Sequence, residues 1–188
     1  MAFSTNSSWL DLCNNALVRL NRQQMLTLSE GTTAANACNQ ALPMAVSHIL
    51  SQSDWKSARK RTIVAPHAEA PAFGYAYRYR IPNDFVRLVE LPECEVWTRE
   101  GGFFLTDTAP LKMIYIAYPD SPGELDPLLQ EAIACSLTAQ LAMTLISDST
   151  IVNAWQSKAE LAIARAKLTE QAGENDILLE THDIAGEI

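Results

Sequence analysis

Apolar residues recur at spacings of three and four along the first fifty positions, which is the period of an amphipathic helix. The first such stretch follows Ser7 or Ser8, either of which can cap it, and continues to Leu20. The second contains Pro43, where a missing backbone hydrogen bond and ring crowding predict a kink. Its inward face is predicted to consist of Ala34, Ala37, Cys38, Ala41, Ala45 and Ile49.

The hydrophobic period changes from 3.6 to 2 at about Trp55, which predicts a group of short strands. A glycine-containing turn, Glu100-Gly101-Gly102, suits a hairpin between two of them. The strands together predict a small antiparallel sheet or sandwich. Their predicted ranges are 55–65, 75–81, 85–91, 94–99, 103–106 and 111–118.

Two further helices follow the predicted strands. The third helix, 127–146, begins with the cap Asp126 and is apolar nearly all round, so we expect it to be buried on several sides. The fourth runs from about Thr150 to Gln171, and Gly173 is predicted to end it.

This order of elements predicts an α+β fold, in which a four-helix bundle carries an inserted small antiparallel β sheet or sandwich. An extended C-terminal arm completes the prediction. The predicted helical bundle is discontinuous and consists of 1–54 and 119–172; the β subdomain is 55–118 and the acidic arm is 173–188.

The formal net charge of −8 is unevenly distributed along the 188 residues. Six of the acidic residues lie between Leu168 and Ile188, a stretch without Lys or Arg, so the rest of the chain carries only −2. Tight binding of duplex DNA requires several cations on one face. A DNA-binding regulator acting through Arg59, Lys60 and Arg61 is therefore a minor hypothesis, which predicts affinity that falls steeply with salt.

The cysteines and the hydropathy of the sequence indicate in which cellular compartment the protein folds. Four cysteines lie far apart, and Cys13, Cys38 and Cys135 fall among apolar residues at helical spacing, which favours reduced core thiols and folding in the cytoplasm. We expect no signal peptide. The longest apolar run, 132–146, is short for a membrane span and contains polar residues, so a soluble protein without a membrane partner is predicted.

Candidate catalytic chemistry is sparse in the sequence. His48, His67 and His182 lack metal-ligand spacing, and no phosphate-binding motif occurs, so we expect no metal, no cofactor and no catalytic residue. The carboxylates Glu90, Glu93 and Glu95 could hydrolyse a glycan if two of them faced one cleft. A solvated strand edge, with Glu93 and Glu95 on one strand face, is the favoured interpretation.

Lys56, Arg59, Lys60 and Arg61 form the strongest basic cluster of the sequence. Since the chain is acidic overall, contact with an acidic protein neighbour is favoured over nucleic acid. The acidic tail of an identical or related subunit is a candidate for that neighbour.

The stretch YAYRYR presents a second choice between function and structure. Tyr75, Tyr77 and Tyr79 would share one strand face, with Arg78 and Arg80 on the other. Tyrosines beside a basic groove could stack on single-stranded nucleic acid. A half-buried strand with its tyrosines inward explains the same pattern and is favoured.

Several segments together resemble the tail tubular protein A family of short-tailed bacteriophages, which are head-to-tail adaptors or gatekeepers. The resemblance covers about residues 8–172. Its most specific parts are CNNAL at 13–17, the segment 55–61 and YAYRYRIPNDFVRL at 75–88. Pro43 within the second helix and Asn21 after the first depart from the family pattern.

The resemblance implies a non-enzymatic homo-oligomeric ring of twelve copies in the virion tail, at the portal vertex, after synthesis in the host cytoplasm. The ring would bind the portal protein and the tail nozzle protein, and duplex DNA would pass through its lumen without sequence-specific binding. A C-terminal arm would reach the portal, and we assign that contact to Ile177, Leu178 and Leu179. The alternative is an envelope-glycan hydrolase or glycan-binding tail component that acts through the β subdomain, with Glu93 or Glu95.

Overall fold

The computed structural model of the chain describes the backbone of residues 8–183 and the side chains of residues 8–169. This part of the chain has mixed α and β structure, with four α-helices and two three-stranded antiparallel sheets. The helices are α1 (Trp9–Arg19), α2 (Thr33–Leu50), α3 (Pro127–Leu145) and α4 (Ser149–Asp183). The strands are β1 (Arg59–Val64), β2 (Tyr77–Arg80), β3 (Phe85–Glu90), β4 (Trp97–Glu100), β5 (Phe103–Thr106) and β6 (Leu111–Ala117).

The chain divides into two compact units. One, here called the helical unit, comprises Met1–Ser57 and Asp120–Ile188 and contains all four described helices. The other, the β unit, is Ala58–Pro119 and contains the six described strands. The helical unit is therefore formed by two segments of the chain, and the β unit lies between them in the sequence.

Polar side chains fix the helix starts. Ser8 and Asp11 form a reciprocal capping box on α1, in which the Asp11 amide donates to Ser8 Oγ over 3.2 Å and the Ser8 amide donates to Asp11 Oδ2 over 2.9 Å. Asp126 accepts the Leu128 amide over 2.8 Å at the start of α3, with Pro127 in the first turn as predicted. These caps explain why the predicted starts of α1 and α3 are confirmed.

Helix α3 lies at the centre of the helical unit, because it contacts α1, α2 and α4, whereas α1 and α2 touch each other little. Twelve of its 19 residues are buried, including Leu129, Ile133 and Leu137, as expected for a helix that is apolar nearly all round. Among the described residues, α3 is also the one helix long and apolar enough to cross a membrane. Its burial within the chain is equally typical of a core helix.

Helix α4 is longer than the sequence predicted. Its start at Ser149 agrees, but the helix continues through Gly173 to Asp183, so the predicted end at Gly173 is wrong. One glycine inside a helix costs only about 1 kcal/mol relative to alanine, and the residues around it favour helix. The buried positions Val152, Ala159 and Ala166 recur every seven residues and form the ridge nearest the core.

The β unit consists of two sheets with the strand orders β1-β6-β3 and β2-β5-β4. Residues of both sheets share one buried cluster, which contains Tyr79, Leu91, Phe104, Leu111, Met113, Tyr115 and Ala117. Aromatic rings form its centre: Phe85 lies 5.8 Å from Phe104 in edge-to-face geometry and 5.7 Å from Tyr115 in a stacked arrangement. The hairpin between β4 and β5 turns through Gly101 and Gly102, both with positive φ, as predicted.

The first strand begins later than the change of period predicted. Trp55 precedes β1 and is fully buried, and its indole N–H donates to the Ile49 carbonyl over 3.0 Å. Lys56–Ala58 then forms a single 3₁₀ turn before β1 starts at Arg59. Trp55 is therefore part of the helical unit, where its hydrogen bond to α2 satisfies the ring nitrogen.

We expect Phe104→Ala to destabilise the β unit by about 3 to 5 kcal/mol, because the substitution leaves a cavity among the aromatic rings of its core. Phe73→Ala is the matched control, since Phe73 is 89% exposed and its truncation should change stability by no more than about 0.5 kcal/mol. Native-state hydrogen exchange at the β5 and β6 amides measures both. Equal protection in the two variants would contradict the assignment of this core.

Candidate functional site

The basic run of the sequence does not form one patch. Strand alternation places Lys60 on the face of β1 opposite to Arg59 and Arg61, and the register pairs Lys60 with Tyr115 of β6. Lys56 lies outside the strand in the 3₁₀ turn. The four residues therefore do not lie on one strand face, contrary to a single basic cluster, and the predicted contact with an acidic partner stays a prediction.

Lys60 already has an acidic partner within the β unit. Its Nζ lies 2.6 Å from Asp84 Oδ2, and the Tyr115 hydroxyl donates to Asp84 Oδ1 over 3.0 Å. Partial burial opposes ionisation of Asp84, but the hydrogen bonds from Lys60 and Tyr115 outweigh it and lower the pKa of that carboxyl. Burial, together with the hydrogen bond to Asp84, raises the pKa of Tyr115 to about 12.

A different basic group is brought together by the sheet order β1-β6-β3. Arg59 of β1 and Arg87 of β3 are both paired with Ile116, from its two sides, and Arg61 follows on the same face of β1. Arg61 and Arg87 are exposed. Arg87 was not predicted as part of a basic group, because its proximity to Arg59 follows from the strand order and not from the spacing along the sequence.

The tyrosine and arginine stretch is only partly what the sequence predicted. Tyr79 is buried, and its hydroxyl donates to the Thr108 carbonyl over 2.7 Å. Tyr77 is 37% exposed, although it shares a face with Tyr79, and Tyr75 precedes the strand. Of the three tyrosines that were expected to face inward, only Tyr79 is buried. Strand β2 has four residues and lies at the edge of its sheet, with β5 as its one neighbour, so less of it is covered.

Arg78 takes part in a separate network on the other face of β2. Its guanidinium lies 4.9 Å from the centroid of the Phe103 ring and forms an ion pair with Glu69. Nε of Arg78 is also 3.3 Å from Nδ1 of His67, and the His67 amide donates to the Arg78 carbonyl over 2.8 Å. These contacts attach the segment around His67 to the sheet, and the charge of Arg78 is paired with Glu69 within the β unit.

The candidate carboxylates for glycan chemistry do not share a strand face. Glu90 ends β3, whereas Glu93 and Glu95 lie in the connection to β4, and Glu93 adopts φ 65°. Glu93 forms an ion pair with Lys112 at 2.6 Å. The predicted strand arrangement of Glu93 and Glu95 is therefore wrong, because the chain turns there. The hydrolase hypothesis would still be tested by clearing of envelope polysaccharide that is lost on Glu95→Gln.

The remaining candidate residues lie apart from one another. His48 of α2 contacts Gln52, with 3.0 Å between their side-chain nitrogens, and His67 belongs to the β unit. Within the described part of the chain, no three His, Cys, Asp or Glu side chains cluster as metal ligands would. The side chains of His182 and of the proposed portal contact, Ile177, Leu178 and Leu179, lie outside the described part of the chain.

The four cysteines are free thiols, and Cys13, Cys38 and Cys135 are buried as predicted. Cys13 of α1 and Cys38 of α2 hydrogen-bond to each other, and this contact together with burial raises the pKa of Cys13. The same contact lowers the pKa of Cys38, and it joins two helices that otherwise touch little.

Helices α1, α3 and α4 enclose a groove of about 280 Å³, here called the basic groove. One wall is built around Trp155 of α4, whose ring centroid lies 4.1 Å from Lys158 Nζ and 5.5 Å from the guanidinium carbon of Arg19. Arg165 and Leu161 continue this wall, and Leu128 and Glu131 of α3 form the opposite one.

The electrostatics of the basic groove favour an acidic occupant. Glu131 pairs with Arg19 over 2.7 Å and also accepts the Cys135 thiol over 3.2 Å. Burial and the Glu131 carboxylate raise the pKa of Cys135 to about 11, so the thiol is neutral. Three cations thus face one carboxylate that is already paired, and Lys158 and Arg165 form no ion pair with the side chains of residues 8–169.

A second cleft, of about 710 Å³, lies on the other side of α4 against α2 and α3. Its lining combines apolar residues such as Ile49, Met143 and Ile163 with polar ones, among them Glu160 and Lys167. Neither cleft was predicted from the sequence. Both arise where α4 touches α3 along a narrow ridge and diverges from α1 and α2.

The chain matches no model of a known protein family, and no curated protein matches it. Membership of the tail tubular protein A family therefore stays a prediction that depends on the segments quoted from the sequence.

We expect Asp84→Asn to weaken the β unit at neutral pH by about 1 kcal/mol, because it removes the charge that binds Lys60 and Tyr115. The folded-state pKa of Asp84 is below its ordinary value of 3.8, so this stabilisation is complete above that value and is lost as the pH falls through the folded pKa. Urea unfolding of wild type and variant across this pH range measures the difference.

Tyr115 adds an opposite dependence at high pH. Its pKa is raised from 10 to about 12, so its contribution is complete below pH 10 and is lost as the pH rises through about 12. Glu95→Gln is the control for the loss of an exposed carboxylate from the same unit. A constant difference between wild type and Asp84→Asn down to about pH 2 would contradict the proposed ion pair.

Proposed function

We propose that the protein is a structural adaptor that forms a ring between the portal and the tail nozzle of a bacteriophage. In this proposal the helical unit is a four-helix bundle that packs side by side with its neighbours, and the β unit is an insertion in it. The observation that carries the proposal is the apolar surface of the helical unit. An adaptor of this kind binds proteins on several sides and performs no reaction.

Large apolar side chains remain exposed on all four described helices of this unit. On α4, Leu161 is 53% and Leu168 is 66% exposed, seven residues apart on one face. Val18 of α1 and Met143 of α3 are 53% and 67% exposed. Isolated exposed apolar residues are ordinary, but several on neighbouring helices beside two clefts are typical of surfaces that other proteins cover.

The charge distribution supports passage of DNA without tight binding. Each copy carries −8, and the strongest basic run of the sequence is divided between two strand faces with Lys60 neutralised by Asp84. A ring of such copies repels the phosphate backbone on average, which would let duplex DNA move through a lumen. The same balance argues against a regulator that binds DNA through Arg59, Lys60 and Arg61.

The C-terminal segment supplies the proposed portal contact. The backbone of α4 extends to Asp183, so Ile177, Leu178 and Leu179 lie on the far part of a long helix. The sequence predicted an extended arm here. A helix is stiffer than an extended chain and would hold these three residues more rigidly. Their apolar character within an acidic stretch is suited to insertion between apolar surfaces of a partner.

The adaptor proposal predicts that the purified chain, mixed with the portal ring encoded by the same genome, forms a second ring on it. Electron microscopy would show the added ring, and light scattering would give one copy for each portal subunit. A portal that gains neither density nor mass would reject the proposal.

The portal contact is tested by the combined substitution Ile177→Gln, Leu178→Gln and Leu179→Gln, which preserves helix propensity and removes apolar area. We expect portal affinity to fall at least about tenfold, since burying even one such side chain contributes more than 1.4 kcal/mol. Leu26→Gln is the matched control, because Leu26 is 87% exposed in the connection between α1 and α2. Unchanged affinity in the triple variant would remove this segment from the contact.

A further inference from the structure

The basic groove has the chemistry of a site for an acidic amphipathic helix. Its walls combine the apolar side chains Leu128, Trp155 and Leu161 with the cations Lys158 and Arg165. An occupant that fits must place apolar residues against the walls and carboxylates beside the two cations. Neither Lys158 nor Arg165 has an acidic partner among the side chains of residues 8–169, so both are available to it.

The chain itself contains a segment with both acidic and apolar residues, at residues 170–188. It contains six carboxylates and no Lys or Arg, and it carries the apolar group Ile177, Leu178 and Leu179. The carboxylates lie at positions 170, 174, 176, 180, 183 and 187, before, beside and after the apolar group. The formal charge of −6 in this segment is thus complementary to the groove, whereas the remainder of the chain carries −2.

The geometry of α4 prevents this segment from entering the groove of its own copy. Trp155, Lys158 and Arg165 belong to the same continuous helix, which extends to Asp183. A helix rises 1.5 Å per residue, so Ile177 lies about 18 Å beyond Arg165 along the helix axis. Only the groove of another copy can receive the segment while it remains helical.

We propose that residues 170–188 of one copy dock in the basic groove of a second copy. The contact is heterologous, because each copy contributes a groove on one side and a segment on the other, and such contacts generate rings or open chains. Since the same segment is the proposed portal contact, docking between copies excludes portal binding by that segment. This last step depends on the proposed function; the contact between copies does not.

The first test is the mass of the purified full-length chain as a function of concentration, by sedimentation and light scattering without portal. We expect reversible self-association that weakens with salt, because exposed charges are screened. The groove variant Lys158→Glu with Arg165→Glu, and the segment variant Glu174→Lys with Glu180→Lys, should each weaken it at least about tenfold. Combining all four substitutions restores opposite charges across the contact and should restore association.

The matched control is Lys56→Glu with Arg61→Glu, which makes the same change of charge at exposed residues of the basic run. Association should be unaffected by it, and circular dichroism should show that every variant keeps its helix content. If this control abolishes association while the groove variant does not, the acidic segment binds the basic run and the proposal is wrong.

Two other results would overturn the proposal. A wild-type chain that remains monomeric at every concentration would do so, as would a four-fold variant that fails to recover association. Because these measurements omit the portal, their failure leaves the adaptor proposal standing, and loss of portal binding alone leaves the contact between copies standing.

Discussion

The burial of α3 is the constraint on which the helical unit depends. Glu131 is the sole charged residue of this helix, and Gln130 and Thr138 satisfy their polar atoms locally, by donating to the carbonyls of Leu125 and Ala134 over 2.8 and 2.7 Å. Apart from the ion pair of Glu131 with Arg19, such a helix needs no polar partner, but its apolar residues must be covered on several sides. Helices α1, α2 and α4 cover it, each through a narrower apolar stripe, and so they touch one another little.

The two clefts follow from this arrangement. Because α4 packs on α3 through small and medium side chains at Val152, Ala159 and Ala166, its flanks remain open on both sides of that ridge. One flank borders a cleft of mixed apolar and polar lining, and the other carries Trp155 with Lys158 and Arg165. A unit organised around one central helix therefore has unfilled surface between its outer helices, and this surface is available to other chains.

The hydrophobic periodicity predicted which helices and strands are present. It did not predict all of their ends or which elements pack against each other. Capping residues such as Ser8 and Asp126 placed the starts of α1 and α3, because their hydrogen bonds are local. Trp55 was misassigned to a strand, since its indole bonds to α2 through a contact that no short-range pattern encodes. Glycine at 173 predicted a helix end, yet a cost of about 1 kcal/mol does not stop a helix whose neighbours favour it. The basic groove needed three helices from both ends of the chain, so no linear motif could indicate it.

Charged residues that are adjacent in the sequence are not always adjacent in space. This difference decides between the basic run and the basic groove as the binding site of residues 170–188. In a strand, consecutive side chains alternate faces, so the run Arg59, Lys60, Arg61 is divided, and Lys60 is neutralised by Asp84. In a helix, residues three and seven apart share a face, so Lys158 and Arg165 act together beside Trp155. The basic groove, unlike the basic run, has two cations on one helix face next to apolar walls. An acidic helix with apolar residues would contact both the cations and the walls.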